Sequence, residues 1–317
     1  MKKTPIIFLS MFLSLVVGAQ ELTIPQLSQY IADNPFLMSP TYAGVGDHIK
    51  VRLNGLTQWV GVEDAPDTQT LAADARIGDR SGIGIVLYND SNGNTKQRGA
   101  RVSFAHHLTL DRYEDEFLSF GLSYNFNQFR IDTQNFRDEN GQLPTDDRAT
   151  VNHNFDIGVL YRYDRFFLSL NASNLLPKNL EQFNPTFEPN TLRNYYAYVG
   201  YSFQKNRNST VEFEPSVFFQ YFENDGRSVT DLNGKVRFYD FEDYYYVGLT
   251  YRFLNDVNQP LTPLYLAPLA GLKKNNFYFG YSYQVIANEI LGYSSGTHVI
   301  TIGVDLFQGI SNCRCTY

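Results

Sequence analysis

The 317 residues carry 26 Lys+Arg against 33 Asp+Glu, a formal charge of −7, with 25 Phe and 23 Tyr but a single Trp, at a mean hydropathy of −0.31. That charge excludes a nucleic-acid binder, whose phosphate contacts need a cationic surface, and two cysteines, Cys313 and Cys315, exclude a core built on disulfides. So much Tyr and Phe at so low a hydropathy points to strands with one face in lipid and one in a polar lumen, girdled by aromatics.

Residues 1–19 read as a secretory signal. Met1, Lys2 and Lys3 give a positive start, residues 6–17 an apolar run too short to cross a bilayer as a helix, and Val17, Gly18 and Ala19 a small-residue cleavage site. The mature chain is expected to begin at Gln20, which has no cysteine for lipid anchoring, and losing two lysines takes the charge from −7 to −9. No later run of 18 apolar residues exists, so a helical span is excluded and periplasmic, secreted or barrel fates remain. Residues 20–48 form a non-barrel segment. Its core, residues 25–44, lacks strand alternation, so it either docks a periplasmic partner or packs into a barrel mouth.

From residue 49 to 307 apolar residues recur at every second position, the mark of half-lipid-facing strands. In residues 154–164, Phe155, Ile157, Val159, Tyr161 and Tyr163 take one face and Asp156, Gly158, Leu160 and Arg162 the other. In residues 276–286, Phe277, Phe279, Tyr281, Tyr283 and Val285 oppose Asn276, Gly280, Ser282 and Gln284. The pattern predicts fourteen antiparallel strands over 49–62, 69–78, 81–90, 97–110, 116–131, 153–163, 166–175, 193–204, 209–223, 227–240, 243–253, 263–272, 275–286 and 297–307. Pro263 and Pro268 should fall at bulges or strand ends. Counted from a periplasmic N-terminus, connections alternate long and short with one exception, the parity of a transmembrane β-barrel and not of a soluble sandwich. Residues 308–317 are expected to be a periplasmic tail.

Polar residues that might do chemistry have plainer roles. His106 and His107 point to opposite faces of a strand and cannot share a metal; His48, His153 and His298 fall at strand ends or loops. Glu212 and Glu214 share a face about 6.6 Å apart, but outward neighbours Val211, Phe213, Val217 and Phe219 put both in the lumen, where charge is normal. Asp305 should meet Lys50 or Arg52 if the last strand closes on the first. Residues 89–94 read as a turn, with too few acids for a calcium loop. A bond between Cys313 and Cys315 would be strained and staple almost nothing. No catalytic, metal or cofactor site is expected.

The residues between the strands carry a resemblance. Pro25, Gln26, Leu27, Ser28, Gln29 and Tyr30 precede Asn34 and Pro35; then Ser39, Pro40, Thr41, Tyr42, Ala43 and Gly44 are similar to an N-P-A-Y-A-G motif. Gln58, Trp59 and Gly61, followed by Ala65, Pro66 and Thr68, are similar to R-N-Q-W-x-G and A-P-x-T, with Leu56 in the place of the Arg. Gly82, Gly84, Tyr88, Asn89, Asp90 and Gly93 follow. Gly280, Tyr281, Ser282 and Tyr283 then precede Tyr293, Ser294, Ser295, Gly296, Thr297 and His298, similar to G-Y-S-Y and S-G-T-H-E, with Val299 replacing the Glu. In order and spacing over some 280 residues the chain resembles the PorP/SprF family of type IX secretion system membrane proteins.

The resemblance implies an outer-membrane part of the type IX apparatus of Bacteroidota. Some members support export and surface attachment of substrates, notably gliding adhesins with a type B C-terminal domain; others link the outer membrane to periplasmic components. Partner contacts are expected at Pro25, Ser28, Gln29, Tyr30, Pro40, Tyr42, Gly44, Gln58, Trp59, Gly296, Thr297 and His298, and in the outer connections 132–152 and 176–192. The expected partners are type IX components or adhesin-type substrates, and outer-membrane lipid. Competing readings are a small-solute channel and a barrel enzyme acting on lipid.

Overall fold

The computed structural model describes residue 31 and residues 33–132, 148–176, 193–206, 209–223, 226–256, 260–286 and 295–307. Two short 3-10 turns, Pro35–Leu37 and Pro40–Tyr42, precede the strands β1 (His48–Thr57), β2 (Asp67–Arg76), β3 (Ser81–Asn92), β4 (Thr95–Asp111), β5 (Glu116–Ile131), β6 (Arg148–Tyr163), β7 (Phe166–Ser173) and β8 (Asn194–Tyr201). The chain continues through β9 (Phe203–Gln204), β10 (Val211–Phe222), β11 (Ser228–Asp240), β12 (Asp243–Asn255), β13 (Thr262–Lys274), β14 (Phe277–Ile286) and β15 (Thr297–Phe307). Each strand pairs antiparallel with its neighbour and β15 returns to β1, closing a fourteen-stranded barrel in which the two-residue β9 extends the line of β8 along β10.

Alternation decides which way each strand faces. Leu53, Ile83, Ile85, Leu87, Phe104, Leu122, Ile157, Val247 and Ile302 are exposed on the outer wall, whereas their neighbours Arg52, Asn54, Ser103, Ser123, Asp156 and Thr301 are buried inside. Lipid, not water, is the solvent such a wall fits. Exposed aromatic residues form belts at both ends, and on β6 His153 and Tyr163 mark them. Ten residues of tilted strand separate that pair, about 33 Å along the chain and about 25 Å along the barrel axis, the height of a bilayer's apolar band.

Four boundaries differ from expectation. β1 stops at Thr57 instead of residue 62, because Trp59 (φ 47°) and Gly61 (φ 101°) swing the chain out of the sheet. Strands β3 and β4 continue past the barrel rim to a tight turn at Gly93 and Asn94, their polar ends held by ladder pairs such as Asn92↔Thr95 and by Arg98 Nε donating to Asn89 Oδ1 at 2.9 Å. The long–short parity therefore has a second exception there. β6 begins at Arg148, so 148–152 are strand paired with β5 and not loop. In β13 the prolines do disturb pairing: a bulge falls opposite Arg252 and Phe253, and the ladder to β14 is interrupted, with its register unchanged, between Leu266↔Val285 and Leu269↔Ser282 around Pro268, which has no N–H to give.

The seam between β1 and β15 sets up three inward rungs. Arg52 Nη1 lies 2.6 Å from Asp305 Oδ1, so Asp305 meets Arg52 as expected. Thr301 Oγ1 donates to Asn54 Oδ1 at 2.8 Å, and Leu56 stands directly opposite Val299.

Candidate functional site: a lumenal plug and a seam clip

Residue 31 and residues 33–45 lie inside the barrel at its short-turn end. No strand period holds them; proline at the start of each 3-10 turn fixes φ, and the Ser39 hydroxyl accepts from Thr41 N at 3.2 Å to begin the second turn. Phe36, Leu37 and Ala43 pack on Ala72, Val86 and Ala105 of one wall, while Ile31 and Met38 pack on Tyr196, Tyr198, Phe218, Tyr246 and Tyr278 of the other. The segment thus bridges the lumen.

Glycines make room for it. A Cβ on Gly82 would fall 2.1 Å from the Ala43 carbonyl oxygen, one on Gly84 would strike the Phe36 ring, one on Gly121 would strike Pro40 and Thr41, and one on Gly158 would strike Asn171 Oδ1 with Thr41 Cγ2 only 3.0 Å away. Gly44 adopts φ 72° where its Cα abuts Gly82, a conformation and a contact that suit a residue without a side chain.

Polar anchors then fix it. Gly44 N donates to Asp74 Oδ2 at 3.0 Å, and Arg101 Nη2 donates to the carbonyls of Phe36 and Leu37 at 2.8 and 2.9 Å. His107 Nε2–H donates to the Ala43 carbonyl at 2.9 Å, its Nδ1 lying 2.8 Å from Ser119 Oγ; a carbonyl only accepts, which settles the tautomer. Ser39 Oγ donates to Asn171 Oδ1 and lies 2.6 Å from Thr41 Oγ1. Ser39 and Thr41 are the two departures from N-P-A-Y-A-G, and together they make this hydroxyl cluster.

On the far wall Asp33 is latched. Lys235 Nζ donates to Asp33 Oδ1 at 3.0 Å, Arg237 Nη2 at 2.7 Å, and Tyr244 Oη donates to Oδ2 at 2.8 Å. Behind them Arg237 also pairs with Glu212 and, at 2.8 Å, Glu214, and Lys235 with Glu214 at 3.3 Å. Burial pushes Asp33 up, but the charges of Arg237 and Lys235, with the hydrogen bonds of Arg237 and Tyr244, hold it well below the usual carboxylate range. A carboxylate depressed in the folded state contributes stability above its unfolded pKa, about 3.9, and loses it only as pH falls through the lower folded value. Protease protection of residues 31–47 is therefore expected to be the same at about pH 7.5 and about pH 5, with release on mild acidification counting against the latch. Removing Asp33 leaves two acids facing two bases on the wall, so Asp33→Ala is expected to loosen the plug through lost hydrogen bonds, by about 1–3 kcal/mol, without unfolding the barrel. Limited proteolysis read beside heat-modifiable gel mobility separates the two.

The residues expected to make partner contacts divide between two places. Pro40, Tyr42 and Gly44 belong to the plug and touch the barrel's own wall. Pro25, Ser28, Gln29 and Tyr30 lie outside the described residues, as do Tyr293, Ser294, Cys313, Cys315, the tail 308–317 and most of the connections 132–152 and 176–192. Gln58 and Trp59 come together with Gly296, Thr297 and His298 at the opposite, long-loop end of the seam. Val60 N donates to the Gly296 carbonyl at 3.1 Å and Ser295 N to the Val60 carbonyl at 2.8 Å, clipping the first long connection to the last. Tyr281 Oη lies 2.8 Å from His298 Nδ1, Tyr283 Oη donates to the Ser295 carbonyl at 3.0 Å, and the Tyr283 ring fills the space a Gly296 Cβ would need.

Sequence reasoning did not single out Asp33, Asp74, Arg101, Lys235, Arg237 or Tyr244, since a lumenal charge looks alike whether it faces water or a plug. Among the described residues no group of three or more His, Cys, Asp or Glu is placed to hold a metal ion. Glu212 and Glu214 share the lumenal face as expected, neutralised by Arg237 and Lys235.

A closed fourteen-stranded wall, apolar outside and polar within, with girdled ends, defines an outer-membrane β-barrel. Two hydrocarbon-channel structures share the fold: TodX (TM-score 0.50, 9% identity, 87% of this chain and 93% of that one) and CymD (TM-score 0.50, 10% identity, 87% and 91%). A Pseudomonas aeruginosa FadL homologue aligns at TM-score 0.45 and 11% identity over 82% of this chain and 90% of its own. No curated protein matches the sequence. Residues 19–304 match the family described as type IX secretion system membrane protein PorP/SprF, and the chain belongs to that family. It is accordingly an outer-membrane component of type IX secretion.

Leu56 and Val299, two of the departures from the motifs that the sequence resembles, are direct partners across the seam, 0% and 3% exposed. The two form an apolar rung between β1 and β15.

Proposed function

We propose that this barrel works by selective protein contact, binding partner proteins of the type IX machine and supporting export or surface attachment of substrates such as adhesins with a type B C-terminal domain. No bond chemistry is assigned to it. The observation that carries the reading is the plug: residue 31 and residues 33–45 bridge the short-turn end of the lumen, mostly buried and anchored from β2 around to β12. A lumen occupied in this way does not favour the alternative, a small-solute channel, and leaves the rims and loops as the working surfaces. The seam clip around Trp59 and His298 is the outer surface we assign to partner contact.

The test is deletion of the gene in its own bacterium, followed by comparison of surface-attached and released proteins. Loss or release of a subset of type IX substrates is the expected result, and an unchanged set would overturn the proposal. Conductance of the purified barrel in planar bilayers addresses the alternative: current through the intact protein would favour the channel.

A further inference from the structure

Three short-end hairpins share a geometry, and one of them departs in the kind of residue at its first loop position. Asp164–Arg165, Asn275–Asn276 and Phe241–Glu242 are two-residue loops whose first member has positive φ, at 47°, 52° and 56°. Asp and Asn are the side chains that tolerate this left-handed conformation, whereas a bulky aromatic there is an outlier. Phe241 is also 100% exposed and packs on none of the described residues. Folding does not account for a strained, bare aromatic where two sister turns use Asp and Asn.

Its surroundings indicate an occupant. Asp240 and Glu242 flank it and are exposed, with Asp243 next in line. Aromatics that serve the membrane interface lie on the outer wall, as Tyr245 and Phe277 do, but Phe241 stands beyond the strand ends among carboxylates that anionic head groups repel. At the same end Tyr113, 94% exposed, tops another acid-flanked turn, with Asp111 Oδ1 accepting from its N–H at 2.7 Å. We propose that Phe241 anchors a soluble periplasmic protein presenting an apolar pocket rimmed by Lys or Arg. Exposed aromatics that enter such pockets dominate interface energies, and flanking charges set the approach and exclude wrong partners. This rests on the reading that the barrel acts through protein contacts.

The test places the photocrosslinker p-benzoylphenylalanine at position 241 of the full chain in the native bacterium. A covalent adduct with one periplasmic protein is expected, lost when Asp240→Lys and Glu242→Lys are added. With that protein purified, Phe241→Asn should weaken binding about thirty-fold while raising the barrel's thermal midpoint, because it copies the sister turns. A purely structural Phe241 predicts the reverse for stability. Adducts with lipid only, no adduct, unchanged affinity or a lowered midpoint in Phe241→Asn would each overturn the inference. If gene deletion still disturbs type IX substrates while position 241 yields nothing, the anchor is wrong and the functional reading stands.

Discussion

Replacing Gly82 with valine is expected to expel the plug while leaving the barrel closed. The first added carbon would sit 2.1 Å from the Ala43 carbonyl oxygen and 2.7 Å from Gly44 Cα, and backbone cannot rotate away as a side-chain tip can. Overpacking costs about 1–3 kcal/mol even where side chains adjust, and here the segment itself must move. The wall has no such conflict, since β2–β3 and β3–β4 pairing is backbone to backbone on either side. Cleavage by added protease within residues 31–47, together with new conductance in planar bilayers, reads out the change. Gly84→Ala should do less, because its clash is with the tip of the Phe36 ring, and Gly55→Ala should do nothing, having no atom within 4 Å. A Gly82→Val barrel as protected and as silent as the parent would show that the plug is not seated on these glycines.

The seam offers the second large effect. Leu56→Arg alone, or Val299→Glu alone, places an unpaired charge at a lumenal position that is now almost fully buried, with an expected cost of about 3–5 kcal/mol. The double variant restores the Arg and Glu of the motif as direct cross-strand partners and should recover most of that loss, a coupling well above the error of a double-mutant cycle. Denaturant unfolding followed by Trp59 fluorescence suits the measurement, because the single Trp sits on the clip at the same seam end. Additive costs would mean that the two introduced charges do not pair across the seam.

The wall was legible because lipid on one face and a polar lumen on the other impose a period of two; the inward parity of Asp156 and Glu212 followed from their outward neighbours alone. What lay beyond that period was less so. Residues 58–62 have the composition of a strand, and only the left-handed turn at Trp59 ends β1 before them. Residues 31–45 carry no period at all, and their anchors come from strands as distant in sequence as Lys235 and Tyr244. Gly82 and Gly84 were visible as family residues, but that they form a seat for Ala43 and Phe36 follows only from the fold. His107 was assigned to one face of its strand, while its hydrogen bond to the Ala43 carbonyl needed the plug in place.

Only residues 46 and 47 separate the plug from β1, the strand on which β15 must close. Most of the plug's seat belongs to β2 through β7, all of which precede the final strand in the chain, so a partly assembled sheet already offers the glycine seat and the Arg101 and His107 anchors. The connectivity therefore favours an order of events: the N-terminal segment lies down first, the sheet curls around it, and β15 meets β1 last, at the full cost of closing the longest loop in the molecule. In that light the segment is a former for the barrel, and a chain that lacks it is expected to assemble more slowly even where the finished wall is equally stable.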